Sequence, residues 1–195
     1  MPISLLEVSD LSLADPFVDA VIGYFAKFRR SATGPLDSLR GYLAGGLAVR
    51  CYAGTRTTGD IDMFFRGGRV LVPPNTSIRV HWEDRDYSLL FDHQYTPDFG
   101  LLHPDYASRA VDMLGACETC LPISVLHPID LAISKVARFQ DHDRSDIATL
   151  AKLGVFDAVD FDQLSTEAMT YAIGDLSFIQ LNLRDAIEIV AGGSK

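Results

Sequence analysis

The sequence predicts an α/β (α+β) fold in which a small mixed sheet is flanked by helices and followed by a bundle of helices. Two observations predict it. Up to about residue 126, short runs rich in β-branched and aromatic residues alternate with helical patterns. Beyond that point the strand patterns stop, and apolar residues recur at helical spacing. We therefore expect a mixed core over residues 1–126 and a helical C-terminal region over residues 127–195, packed on that core.

The first elements are predicted from spacing and from helix-breaking residues. Residues 16–30 carry apolar side chains at helical spacing and predict an amphipathic helix, which Gly34-Pro35 terminates. A second short helix is expected to end near Leu39. Residues 47–53 predict another short helix, and the polar residues 54–59 predict a loop.

Several strands are predicted after this loop, followed by a helix and one more strand. The expected strands cover residues 60–65, 69–72, 78–84 and 87–93. A tight acidic turn joins the last two of these strands, so we expect a hairpin there. Pro104 opens a predicted helix over residues 104–114, and residues 121–126 predict the final short strand.

The C-terminal part reads as helices throughout. Their expected ranges are 128–139, about 145–153, 163–173 and 176–190. Pro128 suits the first turn of the first of these helices, because its missing N–H is not needed there.

Composition indicates an ordinary globular protein with an acidic surface. Of 195 residues, 48% are hydrophobic and 22% are charged, which argues against extensive disorder, and a chain of this length can bury a core without disulfides. The net charge of −9 argues against a dedicated nucleic-acid-binding protein, because such proteins usually have an excess of basic residues. The best basic cluster, Lys27, Arg29 and Arg30 with Arg40 further on, fits a solvated helix face better than a binding patch.

Cysteine usage and apolar runs predict a reduced, cytoplasmic protein. The sequence has three cysteines, and such a small, odd number is typical of a reduced protein; they are Cys51, Cys117 and Cys120. Cys117 and Cys120 form a CxxC, but no second Cys or His pair stands at zinc-finger spacing, so we expect ordinary packing there. The N-terminus has no basic leader, and no apolar run approaches the ~20 residues of a membrane span.

One group of residues indicates a catalytic site. Gly45-Gly46 follows an apolar pair, and thirteen residues later Asp60-Ile61-Asp62 begins a predicted strand. Because side chains alternate along a strand, Asp60 and Asp62 project on one side while Ile61 packs inwards. Two adjacent carboxylates repel each other unless a cation lies between them, and oxygen ligands of this kind suit Mg²⁺.

The glycine pair supplies a complementary feature. Without Cβ atoms, the backbone at Gly45 and Gly46 can approach a triphosphate, and amides at a helix start can donate to it. Neither a P-loop motif nor GxGxxG occurs in the sequence. Each part alone is common, and it is their order and separation that predict a nucleotide site.

The stretch containing Gly45, Gly46, Asp60 and Asp62 resembles the signature of the polymerase-β-type nucleotidyltransferase superfamily. This resemblance implies a nucleotidyltransferase core over residues 1–126, two Mg²⁺ ions (Mn²⁺ as a substitute) and transfer of a nucleotide from an NTP. The superfamily usually adds a third carboxylate on a later strand. Asp92 is our candidate for that metal ligand, with Glu83 and Asp84 as rivals.

A second region extends the resemblance to about residue 150. The run from Leu126 to Arg138, followed by Asp143-Arg144-Ser145-Asp146, is similar to the pattern of the AbiEii-like branch, which includes bacterial toxins of toxin–antitoxin and phage-defence systems. Arg56 and Thr58 also fit that branch, although Gly46 stands where Ser is usual. The resemblance implies nucleotide contacts from Arg56, Thr58, Lys135 and Arg138, and catalytic roles for Lys135 and Asp146 beside the metal ligands. A surface ion-pair cluster is the alternative for Lys135 and Arg138, which lie three residues apart.

Three functions stay open at this point. The resemblance implies a toxin that adds nucleotides to an RNA acceptor such as tRNA and is neutralised by a cognate antitoxin protein. The negative charge suits a cationic acceptor better, such as an aminoglycoside-like small molecule, and a protein side chain is a further acceptor of this kind. The third function is a catalytically inactive binding module, against which the paired carboxylates argue.

Overall fold

The computed structural model describes residues 3–26, 32–33, 38–54, 56–73, 75–96, 100–113 and 121–193. It divides into two compact units. The sheet unit comprises Glu7–Tyr95 and Ala110–Leu126, and the helical unit comprises Met1–Leu6, Thr96–Arg109 and His127–Lys195. The predicted fold class is confirmed, since small mixed sheets with helices are followed by a series of helices.

A four-stranded mixed sheet lies in the sheet unit. Its central strand β2 (Arg40–Leu43) pairs antiparallel with the strand Met63–Arg66 and parallel with the strand Ile123–Val125. The strand Val111–Asp112 pairs antiparallel with Ile123–Val125 at the far edge. We number these three strands β4, β9 and β8. Leu43 at the end of β2 is fully buried, as expected for a strand paired on both sides.

A second sheet of three strands holds the predicted hairpin. Its order is β3 (Asp60–Ile61), β7 (Arg85–Phe91) and β6 (Ser77–Trp82), with β3 parallel to β7 and β6 antiparallel to it. The turn between β6 and β7 places Glu83 at φ 48° and Asp84 at φ 58°. Left-handed conformations at both central residues are those of a two-residue hairpin turn, so the hairpin is confirmed.

The sheet unit also contains a short 3-10 helix (Val8–Asp10), two α-helices and a two-stranded ribbon. Helix α1 (Pro16–Ala26) packs against β6, and helix α2 (Gly45–Ala53) follows β2 directly. The ribbon pairs β1 (Ala32–Thr33) antiparallel with β5 (Arg69–Val70). Phe17 on α1 is fully buried, so the apolar face predicted for this helix does enter the core.

The helical unit consists of short helices packed on one another. They are α3 (Tyr106–Arg109), α4 (Pro128–Val136), α5 (Asp141–Ala151), α6 (Ala158–Met169) and α7 (Ser177–Gly193). Helix α5 packs against both α4 and α7. Within the described ranges, none of the helices combines the length and apolar character needed to cross a bilayer.

Three local features differ from the predictions. No strand was predicted over residues 40–43, which form β2 because β4 and β9 complete the hydrogen bonds of this short segment from both sides. The helix predicted over residues 104–114 ends at Arg109, since pairing with β9 draws Val111 and Asp112 into strand β8. The strand predicted over residues 60–65 is divided at Asp62.

Some predicted features lie outside the described residues. These are the end of the first helix after residue 26, the basic residues Lys27, Arg29 and Arg30, the breaker Gly34-Pro35, and the CxxC of Cys117 and Cys120. Arg40 is described and lies at the start of β2, where its guanidinium donates to Ser124 Oγ at 2.7 Å.

A buried histidine opens α4 and makes the helical unit sensitive to acid. His127 is fully buried; its Nδ1 accepts from the Ile129 amide at 3.3 Å, so Nε2 carries the proton and donates to the Ser4 carbonyl at 3.0 Å. Burial lowers the pKa of His127 below its usual 6.5. Between the lowered pKa and 6.5 the unfolded chain binds a proton that the native protein does not, so stability is complete above that window and falls by about 1.4 kcal/mol per pH unit on acidification through it.

We expect His127→Asn to flatten this dependence, because asparagine keeps an acceptor for the helix start but does not titrate. Urea unfolding at pH 7.5 and pH 5 measures the effect. His81→Asn is the control, because that ring is largely exposed and pairs with Asp86 on the surface. An equal loss of stability in wild type and His127→Asn on acidification would contradict the assignment.

Candidate functional site

The two predicted acidic residues flank Ile61, the last residue of strand β3. Ile61 is fully buried, whereas Asp60 is exposed and Asp62 is partly exposed. Two like charges this close along the chain repel each other, and a bound cation removes that repulsion.

Asp62 lies directly against the glycine pair. The Ala44 amide donates to the Asp62 carbonyl at 2.8 Å, which fixes the loop against the start of α2. Gly45, the first residue of α2, has φ +61°, and a Cβ atom there would overlap the Asp62 carboxylate. Position 45 therefore requires glycine for two reasons, a left-handed backbone and the close approach of an acidic side chain.

The second glycine faces the loop that precedes β3. A Cβ atom on Gly46 would lie 3.2 Å from Thr58 Oγ1 and 3.5 Å from Arg56 Nε. Gly46, Arg56 and Thr58 are thus neighbours at the N-terminus of α2. The first amides of a helix have no intrahelical acceptors, and together with the helix dipole they favour an anion such as a phosphate.

A buried arginine that sequence reasoning missed holds this loop in place. Arg50 on α2 is 1% exposed, forms a double ion pair with Asp15 at 2.8 Å, and donates from Nη1 to the Arg56 carbonyl at 3.0 Å. Its guanidinium also lies 4.2 Å from the centre of the Phe17 ring and 5.0 Å from that of Trp82. The available signal was an arginine in the otherwise apolar stretch of residues 47–51.

Asp92 follows directly after strand β7, which pairs with β3. In the parallel pairing of these strands, Ile61 is opposite Phe91, and the Asp92 amide donates to the Ile61 carbonyl at 3.2 Å. The paired register ends at these residues, so Asp62 and Asp92 each follow directly after the last pair.

The rival acidic residues lie elsewhere on the same strand pair. Glu83 and Asp84 form the hairpin turn at the opposite end of β7. The Asp92 carboxylate accepts from the Gln94 amide at 2.8 Å, which uses one of its roughly four acceptor positions.

The carboxylates of this region fit a magnesium ion without a complete protein cage. Among the residues that the structure describes, no three His, Cys, Asp or Glu side chains are grouped as a metal site. Mg²⁺ does not need such a group, because it typically takes one or two carboxylates together with waters and substrate phosphates. Asp60 and Asp62 offer carboxylate oxygens of this kind, and Asp62 lies against Gly45 at the start of α2.

The predicted phosphate ligands of the helical unit form an ion-pair network in which Lys135 is buried and Arg138 is exposed. Lys135 is 5% exposed; its Nζ lies 2.7 Å from Asp146 and 3.8 Å from Asp143. Arg138 follows the end of α4 and binds Asp143 through two nitrogens at 2.8 and 2.9 Å. Burial disfavours the charged form of Asp143, but hydrogen bonds from Arg138 and the Gln140 amide, with the nearby positive charges, lower its pKa below 3.8. Contacts of Lys135, Arg138 and Asp146 with a nucleotide stay predictions.

Cys51 does not offer a reactive thiolate. It is fully buried on α2, and burial, reinforced by the charge of Asp15, raises its pKa to about 12. The thiol is therefore protonated at neutral pH, and this cysteine has a packing role.

Comparison with known proteins gives one match. A family model described as "Nucleotidyltransferase of unknown function (DUF6036)" matches residues 32–184, which include every candidate site residue from Gly45 to Asp146. No curated protein and no solved structure matches the chain.

Proposed function

Because the chain belongs to the family of nucleotidyltransferases of unknown function designated DUF6036, we propose that it moves an NMP from an NTP to an acceptor hydroxyl and releases pyrophosphate. The close packing of Asp62 against Gly45 is the observation that carries this proposal. It brings the carboxylate proposed to bind the metal into contact with the helix start proposed to bind phosphate, and nucleotidyl transfer requires both functions.

We assign the metal to Asp60, Asp62 and Asp92, which lie in or directly after strands β3 and β7. Asp60 and Asp62 would hold two Mg²⁺ ions, with Mn²⁺ as a substitute, and Asp92 would complete the set. When bound, these ions neutralise the triphosphate and acidify the acceptor hydroxyl. Gly45 and Gly46 receive the triphosphate through backbone amides, and Arg56 and Thr58 flank it.

In the proposed reaction the acceptor oxygen forms a bond to the α-phosphorus. The bond from that phosphorus to the bridging oxygen of the β-phosphate breaks, pyrophosphate leaves, and the hydroxyl proton passes to Asp92 or to solvent. The protein contributes position and charge rather than a covalent intermediate. Lys135 and Arg138 are proposed to neutralise phosphate charge, with Asp146 orienting Lys135 through their 2.7 Å contact.

For the acceptor we propose RNA, with tRNA as the leading example. The support is the resemblance of residues 126–146 to the AbiEii-like branch. On this proposal the protein is a cytoplasmic toxin whose activity a partner antitoxin neutralises.

The net charge of −9 favours a second candidate acceptor, a cationic small molecule of the aminoglycoside type or a protein side chain. Like charges slow the encounter with RNA, whereas opposite charges speed the encounter with a cation. Growth inhibition on expression supports the RNA acceptor, and drug resistance without toxicity supports the cationic one. A catalytically inactive binding module is the outcome if no NTP is consumed with any acceptor.

The test is transfer of label from each α-³²P-labelled NTP, with Mg²⁺, to total RNA, to an aminoglycoside and to a cell extract. We expect labelled product only with metal present. We also expect Asp62→Asn to lower the rate by about 10²- to 10³-fold or more, because it removes a carboxylate proposed to hold the Mg²⁺ that neutralises the triphosphate.

Asp86→Asn is the matched control, since this exposed carboxylate lies on β7 in the same sheet and carries the same charge. It should keep the wild-type rate. If a variant with both Asp60 and Asp62 replaced by asparagine still transfers label, the proposed function is contradicted.

A further inference from the structure

A pocket of about 390 Å³ opens beside Asp92 in the sheet unit. Its walls come from β4, from the segment 68–72 and from the residues that follow β7. They comprise Met63, Phe64, Phe65, Gly68, Val70, Leu71, Val72, Phe91, Asp92, His93 and Tyr95. This volume lies at the small end of the range of ligand sites, so the pocket holds one small group rather than an extended chain.

Aromatic rings form much of the pocket, and their neighbours hold them in place. Phe64 is 6% exposed and stacks on Tyr42, with ring centres 5.3 Å apart and planes 19° apart. Phe91 contacts Phe25 at 5.8 Å, and Tyr95 lies 6.3 Å from Phe64. Fixed aromatic walls of this kind bind a flat π system such as a nucleobase, whatever the base.

The charges of the residues that line the pocket argue against binding of the triphosphate there. Among the described lining residues, Asp92 carries a formal charge and no Lys or Arg is present. A triphosphate would meet a carboxylate here without a compensating cation, whereas the start of α2 offers amides. The pocket is therefore suited to an uncharged group that donates a hydrogen bond.

Asp92 connects the pocket to the candidate metal carboxylates. It lines the pocket, and its amide donates to the carbonyl of Ile61, the residue between Asp60 and Asp62. We propose that this pocket binds the terminal nucleoside of the acceptor, with the base against Phe64 and Tyr95 and the ribose hydroxyl donating to Asp92. This inference rests on the proposed function and specifies its acceptor.

The turn after β7 explains how Tyr95 is presented. The Asp92 carboxylate accepts from the Gln94 amide, and the Tyr95 amide donates to the Asp92 carbonyl at 3.4 Å. Asp92→Asn keeps an oxygen for the turn while removing the charge, so it separates the shape of the pocket from its charge.

The experiment measures binding without turnover. Adenosine, cytidine, guanosine and uridine are titrated into the full chain by saturation-transfer NMR, without Mg²⁺ or NTP. We expect all four to bind, and Tyr95→Ala to weaken binding at least about fivefold, the lower end of what one base stack contributes. Tyr95→Phe should restore binding, because it keeps the ring. Tyr171→Ala, an exposed tyrosine of the helical unit, should leave binding unchanged.

The outcomes separate this inference from the proposed function. If nucleoside binding depends on Tyr95 but the protein transfers no label, the proposed nucleoside pocket is supported and the proposed nucleotidyl transfer is contradicted. Label transfer by a protein whose nucleoside affinity is the same with Tyr95→Ala overturns the pocket and keeps the function. Absence of nucleoside binding to the wild type, or displacement of adenosine by kanamycin at lower concentration than by cytidine, also overturns it.

Discussion

Replacing Gly45 by alanine is expected to lower nucleotide transfer by about 100-fold. The new methyl group occupies the space of the Asp62 carboxylate, so either Asp62 or the start of α2 must move. A displacement of about 1 Å in a positioning group can cost that much in rate. The positive φ at this position adds strain of about 1–3 kcal/mol to the folded state. Steady-state transfer and urea unfolding of the same variant measure the two effects.

Gly54→Ala is the matched control for this effect. Gly54 ends the same helix with nearly the same backbone, φ +68°, but a Cβ atom there meets nothing within 4 Å. It should therefore lose comparable stability and keep its activity. If the two variants lose activity equally, the contact between Gly45 and Asp62 does not position the reaction.

Replacing Arg50 by methionine is expected to lower the free energy of unfolding by about 3–5 kcal/mol. Arg50 is 1% exposed, so its removal leaves the Asp15 carboxylate, itself largely buried, without its partner. The Arg56 carbonyl loses a donor as well, which loosens the loop carrying Thr58. Urea unfolding measures the first effect, and a raised KM for NTP in the folded variant measures the second.

A surface pair and a double variant test the origin of this loss. Asp185→Asn breaks a half-exposed pair with Arg144 and should cost about 0–1 kcal/mol. Adding Asp15→Asn to Arg50→Met should recover part of the stability, because it removes the stranded charge and keeps the oxygen that accepts from the Phe17 amide at the start of α1. No recovery in the double variant would show that the loss comes from packing on Phe17 and Trp82 instead.

Local patterns predicted the parts of the structure that local interactions determine. The amphipathic face of α1, the hairpin turn at Glu83-Asp84 and the C-terminal helices follow from spacing and turn chemistry alone. Strands β2 and β8 could not be predicted, because each has only two to four residues and is defined by distant partners.

The contacts within the candidate site depend on tertiary structure. Spacing placed Gly45 and Asp62 in one motif but not in contact, which depends on the hydrogen bond from Ala44 to Asp62. An arginine in an apolar helix gives no indication that it is buried, so the role of Arg50 was missed. The aromatic pocket beside Asp92 likewise combines residues from three separate segments.

Because one extended segment is divided at Asp62, a structural change at this residue on ligand binding affects both sheets of the sheet unit. Ile61 accepts the amide of Asp92 on one side, and Asp62 accepts the amide of Ala44 on the other, so adjacent peptide groups belong to different hydrogen-bonded sheets. Any reorientation of the Ile61-Asp62 dipeptide therefore changes the hydrogen bonds of both ladders. The amides of residues 44 and 92 are therefore paired spectroscopic reporters, and their chemical shifts should titrate with a single midpoint when a ligand engages the acidic side chain between them.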